Sequence, residues 1–325
     1  MTRPQHPINI VFLDGYTLNP GDADWSLFEE LGHFTVYDRT APADVITRAK
    51  EADILIVNKT QLTQAHFGQL PRLRAVCVAA TGYDVIDVAA AREHGIPVCN
   101  AAGYGTESVA QMAIALLLEA TNHVGKYADA TRSGWWSKSK DFCCWNDPLT
   151  ELHGKTMGIV GFGHIGQAVA RLAHAFGMSI LAATSKPSSV LPDYVTPTDL
   201  RSLFRRCHVV SLNCPLTPQN EAFVNKTLLN DCHPGLILLN TARGRLIDDK
   251  AVADALHDGI LGAYCGDVLS EEPPQPKHPL LSAPRCYITP HLGWASLESR
   301  QRLIQLIADN IRHILDGHPT NVVNP

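Results

Sequence analysis

What this sequence has little of narrows it first. Charged residues make up only 18% of its 325 residues, and acidic ones outnumber basic ones by 32 to 27, for a formal net charge of −5. With no basic cluster to reverse that balance locally, nothing offers an electrostatic footprint for nucleic acid. No apolar run reaches the length of a membrane span. The opening, from Met1 through Pro4 and Pro7 into Ile8–Leu13, is too short for a span or a secretory signal, so a cytoplasmic location is expected. Nine cysteines are present but no C-x-x-C pair, and Cys143 and Cys144 are adjacent, which suits free thiols rather than a disulfide framework. Fifteen histidines are scattered without H-E-x-x-H or comparable spacing, so no metal is expected. Solenoid-period repeats and low-complexity tracts are also missing. What is left is an ordinary globular composition, 45% apolar, on a chain longer than one hydrophobic core usually serves.

What is present is alternation. Ile8–Leu13, Phe34–Tyr37, Ile54–Val57, Ala75–Val78 and Ile96–Cys99 read as strands buried on both faces, with helices such as Trp25–Leu31, Ala43–Ala49 and Ile86–Glu93 between them. A second series follows at Thr156–Val160, Ser179–Ala183, His208–Leu212, Leu236–Asn240, Leu261–Cys265 and Cys286–Thr289. Strand and helix in turn predict α/β architecture with doubly wound parallel sheets, whose ligands bind beyond the carboxyl ends of the strands. Between the series, Thr106–Ala120 is apolar on nearly every side and predicts a buried helix. Residues 127–152 are rich in aromatics (Trp135, Trp136, Phe142, Trp145) without periodicity, which predicts an irregular arm packed on its own domain or on a partner subunit. Leu297–Leu315 carries an apolar face at helical spacing.

The second series opens on Gly161-Phe162-Gly163-His164-Ile165-Gly166, set between a strand and a helix. In that context G-x-G-x-x-G signals dinucleotide binding. The first glycine permits the tight turn, the second the approach of a pyrophosphate, and the third the close packing of the helix. The next strand should end in a carboxylate for the adenosine ribose, but Ala182-Ala183-Thr184-Ser185-Lys186 offers none. Thr184, Ser185 and Lys186 can instead meet a 2′-phosphate, which favours NADP, or use of both dinucleotides, over strict NAD. Three later strand ends carry candidate catalytic residues. Arg243 can hold a carboxylate or carbonyl through its fork of donors, His291 can give and take a proton near neutrality, and Glu272 can orient that ring and favour its protonated form.

With the fingerprint, Asn213-Cys214-Pro215-Leu216-Thr217, Asn240-Thr241-Ala242-Arg243-Gly244, Asp267 with Glu271-Glu272-Pro273, and Thr289-Pro290-His291, the chain resembles the D-isomer-specific 2-hydroxyacid dehydrogenases along its whole length. The resemblance implies a Rossmann domain, 104–294 with an arm at about 125–152, inserted into a flavodoxin-like substrate domain, 1–103 and 295–325. It implies the catalytic trio Arg243, Glu272 and His291. It places substrate on Asn58, Lys59, Thr81 and Gly82 with Arg243, the amides of Ala80–Asp84 binding the carboxylate. It places cofactor on Gly161, Gly163, His164, Ile165, Gly166, Thr184, Ser185, Lys186, Cys214, Pro215, Thr241, Ala242, Asp267 and Trp294. The opening Asp14–Asp22, Asn58-Lys59-Thr60 and Trp294 look most like the glycerate dehydrogenase (hydroxypyruvate reductase) branch, which implies a homodimer reducing hydroxypyruvate or glyoxylate. Alternatives are a dinucleotide-sensing corepressor type and a phosphoglycerate dehydrogenase. Formate dehydrogenases place Gln where Glu272 stands.

Overall fold

The structure, a computed structural model, describes residues 7–325; Met1 and Pro4 of the opening stretch lie outside the described residues. The chain divides into two compact units, Met1–Gly105 with Trp294–Pro325, and Thr106–Gly293. Among the described residues, no helix is long and apolar enough to cross a membrane.

The first unit is built on five parallel strands: β1 (Asn9–Phe12), β2 (His33–Val36), β3 (Ile54–Val57), β4 (Ala75–Val78) and β5 (Val98–Cys99), in the order β2-β1-β3-β4-β5. Their continuous apolar runs follow from burial on both faces. Ile10, Phe12, Ile54 and Ile56 pack under Leu303, Ile304, Ile307 and Ile311 of the helix Leu297–Leu315. Val11, Leu13, Leu55 and Val57 face Val45, Phe67 and Ile96 on the other side. The helix Leu297–Leu315 starts where Ser296 Oγ accepts the Ser299 amide at 3.2 Å, an N-cap that satisfies one orphan donor.

The second unit holds seven parallel strands: β6 (Thr156–Val160), β7 (Ser179–Ala183), β8 (Val195–Pro197), β9 (Val209–Leu212), β10 (Leu236–Asn240), β11 (Leu261–Gly266) and β12 (Cys286–Ile288). Their order is β12-β11-β10-β9-β6-β7-β8, which reverses direction between β6 and β9. Both sheets are doubly wound and parallel, as the alternation predicts. The sequence pattern misses β8, because at this sheet edge Thr196 and Pro197 are exposed and only Val195 is buried. A strand with one core residue and a proline carries no apolar run.

The helix Thr106–Asn122 packs through Ala110, Ala113 and Leu117 into the layer formed by Ala168, Val169 and Ala173 of the helix His164–Ala175. The following arm needs a correction. It is not irregular throughout: Val124–Arg132 is an α-helix and Trp136–Lys138 one tight turn. Periodicity is missing from its sequence because none of the helix's residues is buried. Local polar and ring contacts hold it. Tyr127 stacks on Trp135 with centroids 5.9 Å apart, its hydroxyl accepts the amides of Asn146 and Asp147 at 3.1 Å, and Lys126 Nζ lies 2.5 Å from Asp147 Oδ2.

The helix Leu297–Leu315 is the chief apolar cover of one face of the first sheet. Ile307→Ala should therefore destabilise the first unit by about 2–5 kcal/mol, seen as a lower urea midpoint for its unfolding transition.

Candidate active site and dinucleotide cavity

The glycine turn after β6 sits where the strand order reverses, the place at which open parallel sheets bind ligands. Gly161 has φ 89°, and a Cβ there would stand 2.7 Å from the Cys214 amide nitrogen. A Cβ on Gly166 would stand 2.1 Å from the Gly161 carbonyl oxygen. These two glycines answer to packing. Gly163 does not: nothing lies within 4 Å of its Cβ position, so the backbone there faces open space. The helix His164–Ala175 starts at this point without a side-chain cap, turning its N-terminal amides and dipole towards any anion that enters.

A cavity of about 580 Å³ opens on the turn, and Gly161, Gly163, Thr184, Ser185, Lys186, Cys214 and Pro215 all line it. Sequence reasoning did not find Leu200, Gln219, Asn220 and Phe223, which line it too. Asn220 stiffens its rim, accepting the Thr217 amide at 2.7 Å and donating to the Pro215 carbonyl at 2.8 Å. No carboxylate is among the lining residues, and Lys186 is the cation among them. The Lys186 amide donates to Thr184 Oγ1 at 3.1 Å, which folds the three polar residues into one turn. Burial raises the Cys214 thiol above the usual range, so that wall stays neutral. The residues fit a dinucleotide: a backbone cradle for pyrophosphate, an apolar slot, and a rim without negative charge. His164 and Ile165 open the helix beside the cavity, and Gly166 is buried in its first turn.

Further along the same edge lie the ends of β10, β11 and β12, adjacent strands in the sheet. After β10, Asn240 is fully buried and fixes the turn by accepting the Ala242 amide at 3.1 Å and donating to the Arg243 carbonyl at 2.9 Å. The Arg243 guanidinium donates to the Ala242 carbonyl at 2.8 Å. Thr241 Oγ1 is buried with no partner in the structure. After β11, Glu272 Oε1 accepts the Leu269 amide at 2.9 Å, which leaves Oε2 facing His291 Nδ1 at 2.7 Å. The loops after β10 and β11 touch backbone to backbone: a Cβ on Gly244 would stand 1.9 Å from the Leu269 carbonyl carbon. After β12, His291 adopts φ 57°, a left-handed conformation that a side chain with a Cβ resists. Asp267 holds it there, accepting Thr289 Oγ1 at 2.5 Å, the Leu292 amide at 2.8 Å and the Gly293 amide at 2.6 Å.

The remaining candidates lie in the first unit. Asn58 is buried at the end of β3, and Asp14, which pattern reading did not single out, accepts the amides of Asn58, Lys59 and Thr60 at 2.8, 2.6 and 2.7 Å. A carboxylate directly after a strand was the signal available for it. Thr81 follows the end of β4 and donates through Oγ1 to the Ala101 carbonyl at 3.0 Å, with Gly82 next to it. Trp294 packs in this unit, against the layer of Phe12 and Ile307.

A cavity that fits a dinucleotide at the switch point of a parallel sheet, with a Glu272–His291 contact at strand ends along the same edge, is the arrangement expected of a nicotinamide-dependent oxidoreductase. Residues 114–293 match the family model described as "D-isomer specific 2-hydroxyacid dehydrogenase, NAD binding domain". The chain is 46% identical to a hydroxypyruvate reductase of Blautia hydrogenotrophica over 98% of its own length and 100% of that protein's. It is 36% identical to a glycerate dehydrogenase of Methylorubrum extorquens, covering 97% and 98%. Among solved structures it resembles an NADPH-dependent glyoxylate/hydroxypyruvate reductase of Sinorhizobium meliloti, solved with NADP and malonate, at 28% identity and TM-score 0.81 over 96% and 93% of the two chains. The chain belongs to the D-isomer-specific 2-hydroxyacid dehydrogenase family. It is therefore an NAD(P)-dependent enzyme of keto-acid and hydroxy-acid interconversion.

If Lys186 supplies the contact to a 2′-phosphate, Lys186→Ala should raise the Kd for NADPH about tenfold, the scale of one hydrogen bond to a charged group. The Kd for NADH should stay within about twofold. Fluorescence titration with each cofactor reads the difference, and equal effects on both would reject the assignment.

Proposed function

We propose that this chain reduces small 2-keto acids, hydroxypyruvate or glyoxylate first, to D-2-hydroxy acids, with NADPH preferred to NADH. The observation that carries the proposal is the 2.7 Å contact of His291 Nδ1 with Glu272 Oε2 at the carboxyl edge of the sheet. Engaging Nδ1 fixes the ring and leaves Nε2 for the substrate. Arg243, on the loop after the neighbouring strand, holds the substrate carboxylate and polarises the 2-carbonyl. His291 then delivers a proton to the carbonyl oxygen, with Glu272 holding the ring in the orientation for that transfer. When bound, the reduced nicotinamide supplies the hydride to the 2-carbon. In the reverse direction His291 takes the hydroxyl proton.

Substrate binding is assigned also to Asn58, Lys59, Thr81 and Gly82. Cofactor binding is assigned to the cavity residues, to His164, Ile165 and Gly166 at the helix start, and to Thr241, Ala242, Asp267 and Trp294. The names of the relatives from Blautia, Methylorubrum and Sinorhizobium support the substrate, and the carboxylate-free rim supports NADPH. A cytoplasmic location suits such a reaction. A homodimer is favoured by the arm, where Trp136, Phe142, Trp145 and Leu149 stay exposed, Phe142 at 89%.

His291→Ala should lower kcat for hydroxypyruvate reduction by about 10²–10⁴-fold, the usual contribution of a positioned acid, with NADPH affinity unchanged. Retained turnover would remove the acid–base role. No turnover by the parent protein with any small 2-keto acid and either cofactor would favour a dinucleotide-sensing binding protein instead. The homodimer is tested by sedimentation: Phe142→Asp combined with Trp145→Asp should give a monomer, whereas an unchanged species would place the interface elsewhere.

A further inference from the structure

Beneath the loop that carries Glu272 lies a polar cluster that the proposed reaction does not use. Asp249 opens the helix Asp249–His257, which follows the loop bearing Arg243. Its Oδ2 accepts Ser270 Oγ in a short hydrogen bond and faces His278 Nε2 at 3.1 Å. The side chains of His278 and Asp249 are only 7% and 15% exposed. Ser270 and His278 stand on either side of Glu271-Glu272-Pro273-Pro274, so one carboxylate oxygen grips the loop at both of its feet.

The cluster contains serine, histidine and aspartate, but its geometry rules out a hydrolytic triad. Ser270 gives its proton to Asp249 rather than to the histidine, and its Oγ is 3.4 Å from the same Nε2 that already faces Asp249. A nucleophile would need its proton accepted by the ring and the ring backed by the acid on its other nitrogen. Here that other nitrogen, Nδ1, is buried without a partner, as is Asp249 Oδ1. A largely buried polar cluster is an expensive way to fill a core, since apolar side chains of similar volume would fill it at lower cost. What directional hydrogen bonds offer that apolar packing does not is a fixed geometry.

We propose that Asp249, His278 and Ser270 are positioning residues that set the aim of Glu272 on His291. This rests on the acid–base reading given above and extends it to a layer with no substrate contact. The chain of contacts is continuous: Asp249 fixes Ser270, Ser270 adjoins Leu269, the Leu269 amide holds Glu272 Oε1 at 2.9 Å, and Glu272 Oε2 holds His291 at 2.7 Å. Because Asp249 follows the Arg243 loop and Ser270 belongs to the Glu272 loop, the same oxygen also ties the two loops together where Gly244 lets their backbones touch.

The experiment is a coupling cycle in the full chain, with hydroxypyruvate and NADPH. His278→Phe should lower kcat at least tenfold while KM for the keto acid and Kd for NADPH stay within twofold. His278→Gln, which keeps an N–H donor for Asp249, should recover kcat to within about threefold of the parent. In the Glu272→Gln background, His278→Phe should cost less than twofold more, because the group it positions is already gone. Should His278→Phe fold poorly, Ser270→Ala carries the same test, with a several-fold loss in kcat alone. Wild-type kcat in His278→Phe or Ser270→Ala, a parallel loss of cofactor affinity, or a full additional loss on top of Glu272→Gln would overturn the inference. The two readings fail differently. Full turnover by Glu272→Gln would sink the acid–base assignment and the brace together, whereas a slow Glu272→Gln beside a fast His278→Phe would sink the brace alone.

Discussion

Asp267 directly follows β11 at the edge of the sheet, where a hydroxyl and two amides from the next strand's loop all donate to its carboxylate. It is buried, and a buried carboxylate is costly unless hydrogen bonds replace its water. Those three donors do so, and in return the turn Thr289–Gly293 has one shape. That shape puts His291 in the left-handed region, a conformation that neighbours must impose on a residue with a side chain. The direction of the imidazole is thus decided by a residue on another strand. On the neighbouring strand β10, Asn240 acts in the same way, holding the Ala242–Arg243 turn, and its own carbonyl accepts the Asp267 amide at 3.0 Å. Candidate chemistry along this edge is positioned in a row, each strand end fixing a loop.

Close approach of backbone to backbone is the second constraint, and it appears twice. Gly161 admits the loop after β9, and Gly244 admits the loop after β11, each at a distance where a Cβ would collide with main-chain atoms. The first contact shapes the floor of the dinucleotide cavity. The second brings the Arg243 loop against the Glu272 loop. Gly163 is the contrast that gives the fingerprint its meaning, because its missing Cβ faces space rather than protein. Within the fingerprint, Gly161 and Gly166 are thus required by the fold, whereas Gly163 leaves the backbone open to an incoming group.

Much of this was legible in the sequence. The parallel sheets follow from apolar runs buried on both faces, and the turn after β6 from three glycines between a strand and a helix. The pairing of Glu272 with His291 was open to reading because both residues follow strands that a parallel sheet aligns at one edge. What escaped had physical reasons. Strand β8 has one buried residue and a proline, and the helix Val124–Arg132 buries nothing, so neither leaves a periodic apolar trace. Asn220 and Asp249 act on backbone or side-chain groups around a loop or far away in sequence, and no local pattern distinguishes such an amide or carboxylate from a solvated one. The hold of Asp267 on three donors likewise depends on strand adjacency, which composition does not encode.

The side chains of His291 and Glu272 are 33% and 36% exposed. At that exposure an isolated ion pair contributes roughly 0–1 kcal/mol, too little to hold two flexible side chains in a single geometry against their rotamer entropy. Attraction alone therefore does not account for the 2.7 Å contact. The ring is fixed by the turn that Asp267 grips, and the carboxylate by the Leu269 amide on its other oxygen. Each partner is held from behind, so the contact between them costs little further ordering. The pair can then stay partly exposed while keeping the orientation that the proposed proton transfer needs.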